Sequence, residues 1–278
     1  MDLSIVLGGR DDNYGENFIE RLNQALSTNL ENLDKSDIDY EMLVVDFNPI
    51  DRKYLHQNEL LKESLSHQRV TNIIVDPSVS EEEDLSPQTY YEYFAKNVGA
   101  RNSKGALILT TNSDIILSQN LIDDIKSEIS NDEKDELFYR CRFRGEIQLG
   151  TSPDESTQAA DLHNPSFSDS CICGLFSGDA TMFSRHVFFE VATGYNEGEK
   201  RHRTHLSQSA MDGEILWNVY KKGKKLKFLE SPYYHINHGR PNPRDNFYSQ
   251  DTYTNKPNWG FVDYRQEKIN ENTILITK

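Results

Sequence analysis

The sequence predicts an α/β fold built on a largely parallel sheet. In the first half, short apolar runs alternate with stretches whose apolar residues recur at helical spacing, a β-α-β-α rhythm. The first two runs end in strong punctuation, Gly8-Gly9 and Asn48-Pro49. Strands joined through helices in this order lie parallel, with right-handed crossovers.

Leu3–Gly9 is a short apolar run closed by glycines, a buried strand. Phe18, Leu22, Leu26, Leu30 and Leu33 then recur on one face, so 15–33 reads as an amphipathic helix. Residues 40–49 form the second strand, 56–66 a helix, and 69–76 the third strand. Residues 77–87, with three consecutive glutamates and two prolines, read as a solvated loop. A helix over 88–105 keeps Tyr91, Phe94, Ala95 and Val98 on one face, with Gly105 just past its end. The fourth strand is 106–111, a helix covers 118–130, and the fifth strand is 136–143.

The rhythm then breaks. Residues 145–175 are rich in Ser, Asp, Pro and Thr and read as a long loop. A short strand and helix follow in 180–195, a helix in 209–223, and a strand-like stretch in 225–238. Residues 239–278 are polar, with weak strand signals near the end. The expected organisation is an α/β half over 1–143, a second half of the same domain over 144–240, and a tail over 241–278.

Composition removes several function classes. A formal net charge of −15 repels phosphate backbones, so nucleic acid is not an expected partner. No apolar run approaches the roughly 20 residues of a membrane helix. The Leu3–Leu7 stretch is too short for a signal peptide, and three cysteines make no disulfide framework, so a cytoplasmic setting is expected. Cys171-Ile172-Cys173 has no second pair to complete a metal site and reads as idle thiols.

In an open parallel sheet, ligands bind beyond the carboxyl ends of the strands. Three strand ends carry polar groups: Gly9-Arg10-Asp11-Asp12, Asp46, and Asn112-Ser113-Asp114. Each alone is an ordinary turn, but three on one edge of one sheet suggest a site. Asp114 lies between two apolar runs, where a carboxylate either caps a turn or holds a cation.

The blocks SIVLGGRDDNYGENFIERLNQAL, EMLVVDFNPIDR, AKNVGARNSKGALILTTNSDIILS, SGDATMFSR and YYHINH, in this order, resemble those of GT-A-fold glycosyltransferases of the inverting family-2 type. The resemblance covers most of residues 3–240. It implies transfer of a sugar from a nucleotide-sugar donor, UDP-linked by preference, to a glycan or other hydroxyl acceptor. Asn112-Ser113-Asp114 stands where that family carries Asp-x-Asp, with Asn112 replacing the first carboxylate. The usual Gly-Gly-Glu-Asp before the base is also absent, leaving Met211-Asp212-Gly213-Glu214.

The resemblance implies Mn²⁺, or Mg²⁺ as second choice, on Asp114 and a histidine, neutralising charge on the leaving diphosphate. His235 and His238 are the candidates. Three apart on a regular strand they face opposite sides, so both cannot bind one ion; the resemblance favours His235, which matches the histidine that ends the core in such transferases. Asp212, at a helix start that favours its ionised form, takes the position of the general base, with Glu214 as the alternative and acceptor-side residue. Gly9, Arg10, Asp12, Asp46, Lys96, Asn112 and Ser113 would cradle the nucleotide, with Arg101 a second phosphate candidate. Asp179, in Ser177-Gly178-Asp179, would line the acceptor pocket. The 145–175 loop and the segment after His238 are expected to close over the donor.

Two other readings compete. A GT-A module without turnover is favoured by Asn112. A nucleotide-dependent oxidoreductase is disfavoured, because strand one lacks G-x-G-x-x-G.

Overall fold

The computed structural model describes residues 1–83, 85, 90–154, 157–162, 179–197, 211–239 and 254–278. The strands are β1 (Leu3–Gly9), β2 (Tyr40–Phe47), β3 (Val70–Val75), β4 (Leu107–Thr111), β5 (Ile115–Leu117), β6 (Leu137–Ile147), β7 (Ala159–Asp161), β8 (Ala180–Ser184), β9 (Lys225–Ile236), β10 (Arg265–Asn270) and β11 (Thr273–Thr277). The helices are α1 (Phe18–Asp34), α2 (Lys62–Leu65), α3 (Pro77–Glu82), α4 (Glu92–Asn102), α5 (Gln119–Ile129) and α6 (Met211–Lys221).

One sheet runs β10-β11-β3-β2-β1-β4-β8-β6-β9-β5, with β7 on β6. Its β11-β3-β2-β1-β4 portion is parallel throughout, as the alternating rhythm requires. β8 then pairs antiparallel to both β4 and β6, so β6 again runs with β4. Every residue of β1 and β2 is buried, because helices cover both faces. Alternation divides β1 between two cores: Leu3, Ile5 and Leu7 pack with the apolar face of α1, and Val6 packs with α4. Helix α4 comes so close that a Cβ at Gly99 would meet Val6 Cγ1 at 2.3 Å.

Several expectations are corrected. The helix over 56–66 contracts to α2, with 3-10 turns at Ile50–Arg52 and Leu55–Gln57, the second of them tied back by Leu55 N donating to Asp46. The 77–87 loop contains α3, which has Pro77 in its first turn and Asp76 accepting from Ser78 N as N-cap. The fifth strand does not stop at 143 but continues to Ile147, and β7 forms within the expected 145–175 loop. The weak strand signals near the end of 239–278 correspond to β10 and β11, a hairpin in which β11 extends the sheet beside β3. The helix expected in 180–195 is a π-helical turn, Val187–Ala192. Cys171 and Cys173, with the remainder of the two expected lids at 163–178 and 240–253, lie outside the described residues. Among the described residues, no helix is long and apolar enough to cross a membrane.

Candidate functional site

The strand order reverses direction between β1 and β4, and the carboxyl ends of β1, β2 and β4 meet at that switch point. Gly9 closes β1, where a Cβ would meet Phe18 at 2.9 Å. Arg10 is buried and donates from Nε and Nη2 to Asp12 Oδ2 at 3.1 and 2.8 Å. Asp46 closes β2. Its Oδ2 accepts from Leu55 N at 2.8 Å, while its buried Oδ1 has no hydrogen-bond partner. Burial, reinforced by Asp11, raises the Asp46 carboxyl to about 7, against the opposing Leu55 hydrogen bond and Arg10.

β4 and β5 are separated only by Asn112-Ser113-Asp114. β5 pairs antiparallel with β9, setting Ile115 opposite His235, and Ile236 N donates to Asp114 O at 2.9 Å. β9 ends at Ile236, Asn237 N bonds to Ile147 O, and the chain turns. Both histidines therefore reach one carboxylate. His238 Nε2 lies 3.1 Å and His235 Nε2 3.7 Å from Asp114 Oδ2. The expectation that only one histidine faces the ion assumed a regular strand through 238, and the strand stops two residues earlier. One ligand atom each from Asp114, His235 and His238 lie within 4.8 Å of one another. Burial raises the Asp114 carboxyl, but the His238 hydrogen bond and the charges of His235, His238 and Arg21 outweigh it and hold it below its usual value. A cleft of about 530 Å³, lined by Gly15, Asn17, Arg21, Gln148 and His238, opens beside the trio.

Asn112 is not part of that trio. Its Nδ2 donates to Asp179 Oδ1 at 3.0 Å and its Oδ1 accepts from Lys96 Nζ at 3.1 Å. Ser113 is half-buried in the same turn. Lys96, fully buried, also faces Glu92 at 2.6 Å and Asp212 Oδ1 at 3.7 Å. Burial lowers its pKa, but Glu92 and Asp212 more than compensate, so it stays charged well above its ordinary range. Asp212 lies in the first turn of α6 and accepts from Tyr93 OH at 2.9 Å. Burial raises Asp212 to about 6, against the pull of Lys96. Glu214 is buried elsewhere, near Asn196 Nδ2 at 3.5 Å; two helical positions from Asp212, it points off that face. Asp179 accepts from Tyr233 OH at 3.1 Å and pairs with Arg144. Burial outweighs those partners and raises its carboxyl.

Arg101 stands apart. Its guanidinium stacks 3.6 Å over the Trp259 ring and donates to the carbonyls of Trp259 and Pro257, so its place is in packing.

Three functional neighbours escaped the sequence reading. Arg21 sits inside the α1 pattern as one polar residue among many, yet it is buried, holds the Tyr14, Gly15 and Glu16 carbonyls, and lies 3.8 Å from Asp114. Arg144 fell just past the expected end of the fifth strand at 143, and Glu146 in the 145–175 stretch read as loop. Their alternation with Gly145 was the signal, and it becomes visible only once β6 is extended.

No family model matches the sequence, and no curated protein matches it. Among solved structures, the chain is similar to S. aureus TarS 1-349, with 15% identity and a TM-score of 0.50 over 85% of this chain and 60% of that one. It is also similar to S. aureus TarS 1-349 in complex with UDP-GlcNAc, with 16% identity and a TM-score of 0.52 over 86% of this chain and 59% of that one. The fold is GT-A. The chain spans about 60% of the length of these TarS chains, so the likeness concerns the GT-A architecture.

Proposed function

We propose that this chain transfers a sugar from a nucleotide-sugar donor, UDP-linked by preference, to an acceptor hydroxyl with inversion, using a divalent cation. The observation that carries this reading is the convergence of Asp114, His235 and His238 at the switch point of a GT-A sheet. One carboxylate and two imidazoles fit Mn²⁺ better than Mg²⁺, which prefers oxygen ligands. When bound, the ion would supply Lewis-acid neutralisation of charge on the departing nucleoside diphosphate.

The chain's own residues do the rest. Asp46 Oδ1, buried and without a hydrogen-bond partner, is suited to accept an N–H or O–H of the nucleoside. Arg10, backed by Asp12, adds positive charge beside it. Asp212 Oδ1, likewise without a hydrogen-bond partner, accepts the acceptor's hydroxyl proton. The hydroxyl oxygen bonds to the anomeric carbon as that carbon's bond to the diphosphate breaks. Raised to about 6, Asp212 is ionised at neutral pH yet basic enough to take the proton. Preference for UDP is supported by the likeness to a protein solved with UDP-GlcNAc. Asn112 favours a binding module without turnover as second reading, since its amide is used up between Lys96 and Asp179. UDP-sugar hydrolysis with Mn²⁺, against an EDTA control, separates the two: metal-dependent release of UDP is expected of the enzyme, and UDP binding without release indicates the module.

A further inference from the structure

We propose that Glu146 is the positioning residue that fixes His235 for the cation, an inference that rests on the metal reading above. In the parallel pair of β6 and β9, Glu146 lies directly across from His235. Its Oε2 is 2.7 Å from His235 Nδ1, while Asp114 Oδ2 is 3.7 Å from Nε2. Only the first is a hydrogen-bond distance. In neutral His235 the proton therefore sits on Nδ1 and is donated to Glu146. That leaves the Nε2 lone pair aimed at the Asp114 side, which is what a metal ligand requires.

Glu146 is held in turn. Its Oε1 lies 2.7 Å from Arg144 Nη2, and Arg144 also pairs with Asp179, which Asn112 and Tyr233 anchor. Arg144 holds one carboxylate oxygen and leaves the other for His235, so the imidazole plane is set by a braced group.

The pairing depends on an irregularity. Along β6 and β9 the register shifts by one residue between Cys141 and Phe143, where Pro232 sits in β9. Before the shift, partners run Leu137 to Lys225; after it, Phe143 to Pro232. In the register that holds before the shift, Glu146 would face Tyr234, whose side chain lies on the other face. Glu146 also lines a second cleft of about 630 Å³ with Gln148, Ser152, Thr157 and Gln158, so the brace is reachable from solvent.

The test uses the full chain. Imidazole ¹⁵N spectra of the metal-free protein, recorded at about pH 8, above the ordinary histidine pKa of about 6.5, read the His235 tautomer, assigned by its loss in His235→Gln. Wild type is expected in the Nδ1–H form. Glu146→Gln should keep it, because the amide oxygen still accepts. Glu146→Ala should lose it. Titration with Mn²⁺ alone should show affinity weakened about 10–100-fold in Glu146→Ala and less in Glu146→Gln, with metal-free UDP binding unchanged in both. An unchanged tautomer in Glu146→Ala, or unchanged Mn²⁺ affinity beside a wild type that binds, overturns the proposal. A wild type that takes up no Mn²⁺ sinks the metal reading instead, and the spectra still decide whether Glu146 fixes the ring.

Discussion

Asn112 stands where the family that the sequence resembles carries the first carboxylate of its metal-binding loop, and its surroundings suit an amide. An amide can donate to Asp179 and accept from Lys96 at once; a carboxylate could only accept, and would meet Asp179 Oδ1 near 3.0 Å. Asn112→Asp is therefore expected to destabilise the fold by about 1 kcal/mol or more, because a half-buried hydrogen bond to Asp179 is exchanged for a like charge, as read by urea unfolding. Unchanged stability would mean that Lys96, already facing Glu92 and Asp212, can balance a third acid. Asp212→Asn should slow transfer by roughly a hundredfold or more and leave UDP–Mn²⁺ affinity near wild type. The wild-type rate should fall on acidification through about 6, as Asp212 protonates. A rate unaltered by the substitution would move the base elsewhere. At this scale the sequence was informative where a polar residue interrupted an apolar run, as with Asp114. It was mute where a charge lay inside an amphipathic helix, as with Arg21, because periodicity marks a face as polar without saying what that face meets.

Elements bring these residues together through their ends, and ends are what periodicity locates least well. The β6 residues Gly145 and Glu146 looked like loop because charge and glycine weaken the strand signal, yet β9 pairs with β6 as far as Ile147 and β7 pairs with it up to Gly145 on the other side, and this pairing overrides the weakness. The termination of β9 at Ile236 is a tertiary fact: Asn237 N is captured by Ile147 O, a partner distant in sequence. The segment between β1 and α1 completes the arrangement. Gly15 has φ 67°, and a Cβ there would lie 2.3 Å from His238 Nδ1. Gly15→Ala should therefore displace His238 and strain the turn, at a cost of about 1–2 kcal/mol. The Mn²⁺ dependence of UDP binding should weaken while the far-ultraviolet dichroism remains native. Retention of full metal dependence would show that His238 is dispensable to the ion.

At the scale of the whole molecule, stability is expected to depend on pH through acids buried at the strand ends, and Asp46 isolates that dependence. The parallel core and its order were legible in the first half of the sequence because each strand there is short, apolar and punctuated. The sheet's outer edge was not, since β10 is fully exposed and charged and gains its place only by pairing with β11. Asp46, by contrast, closes a core strand with almost no solvent contact. Burial raises its folded-state pKa to about 7, above the value near 3.9 expected of an unfolded aspartate. Between those values the folded chain binds more protons than the unfolded chain, so its contribution is fully present below about 4 and is lost as pH rises through about 7. The span sets an upper bound of about 4 kcal/mol. Asp46→Asn keeps an oxygen for Leu55 N and cannot ionise, so its stability should fall less than wild type's between about pH 4 and 8. Urea unfolding of both proteins across that range measures the difference. Parallel curves would mean that Asp46 titrates normally, and would also remove the buried, partnerless oxygen on which its proposed contact with the nucleoside depends.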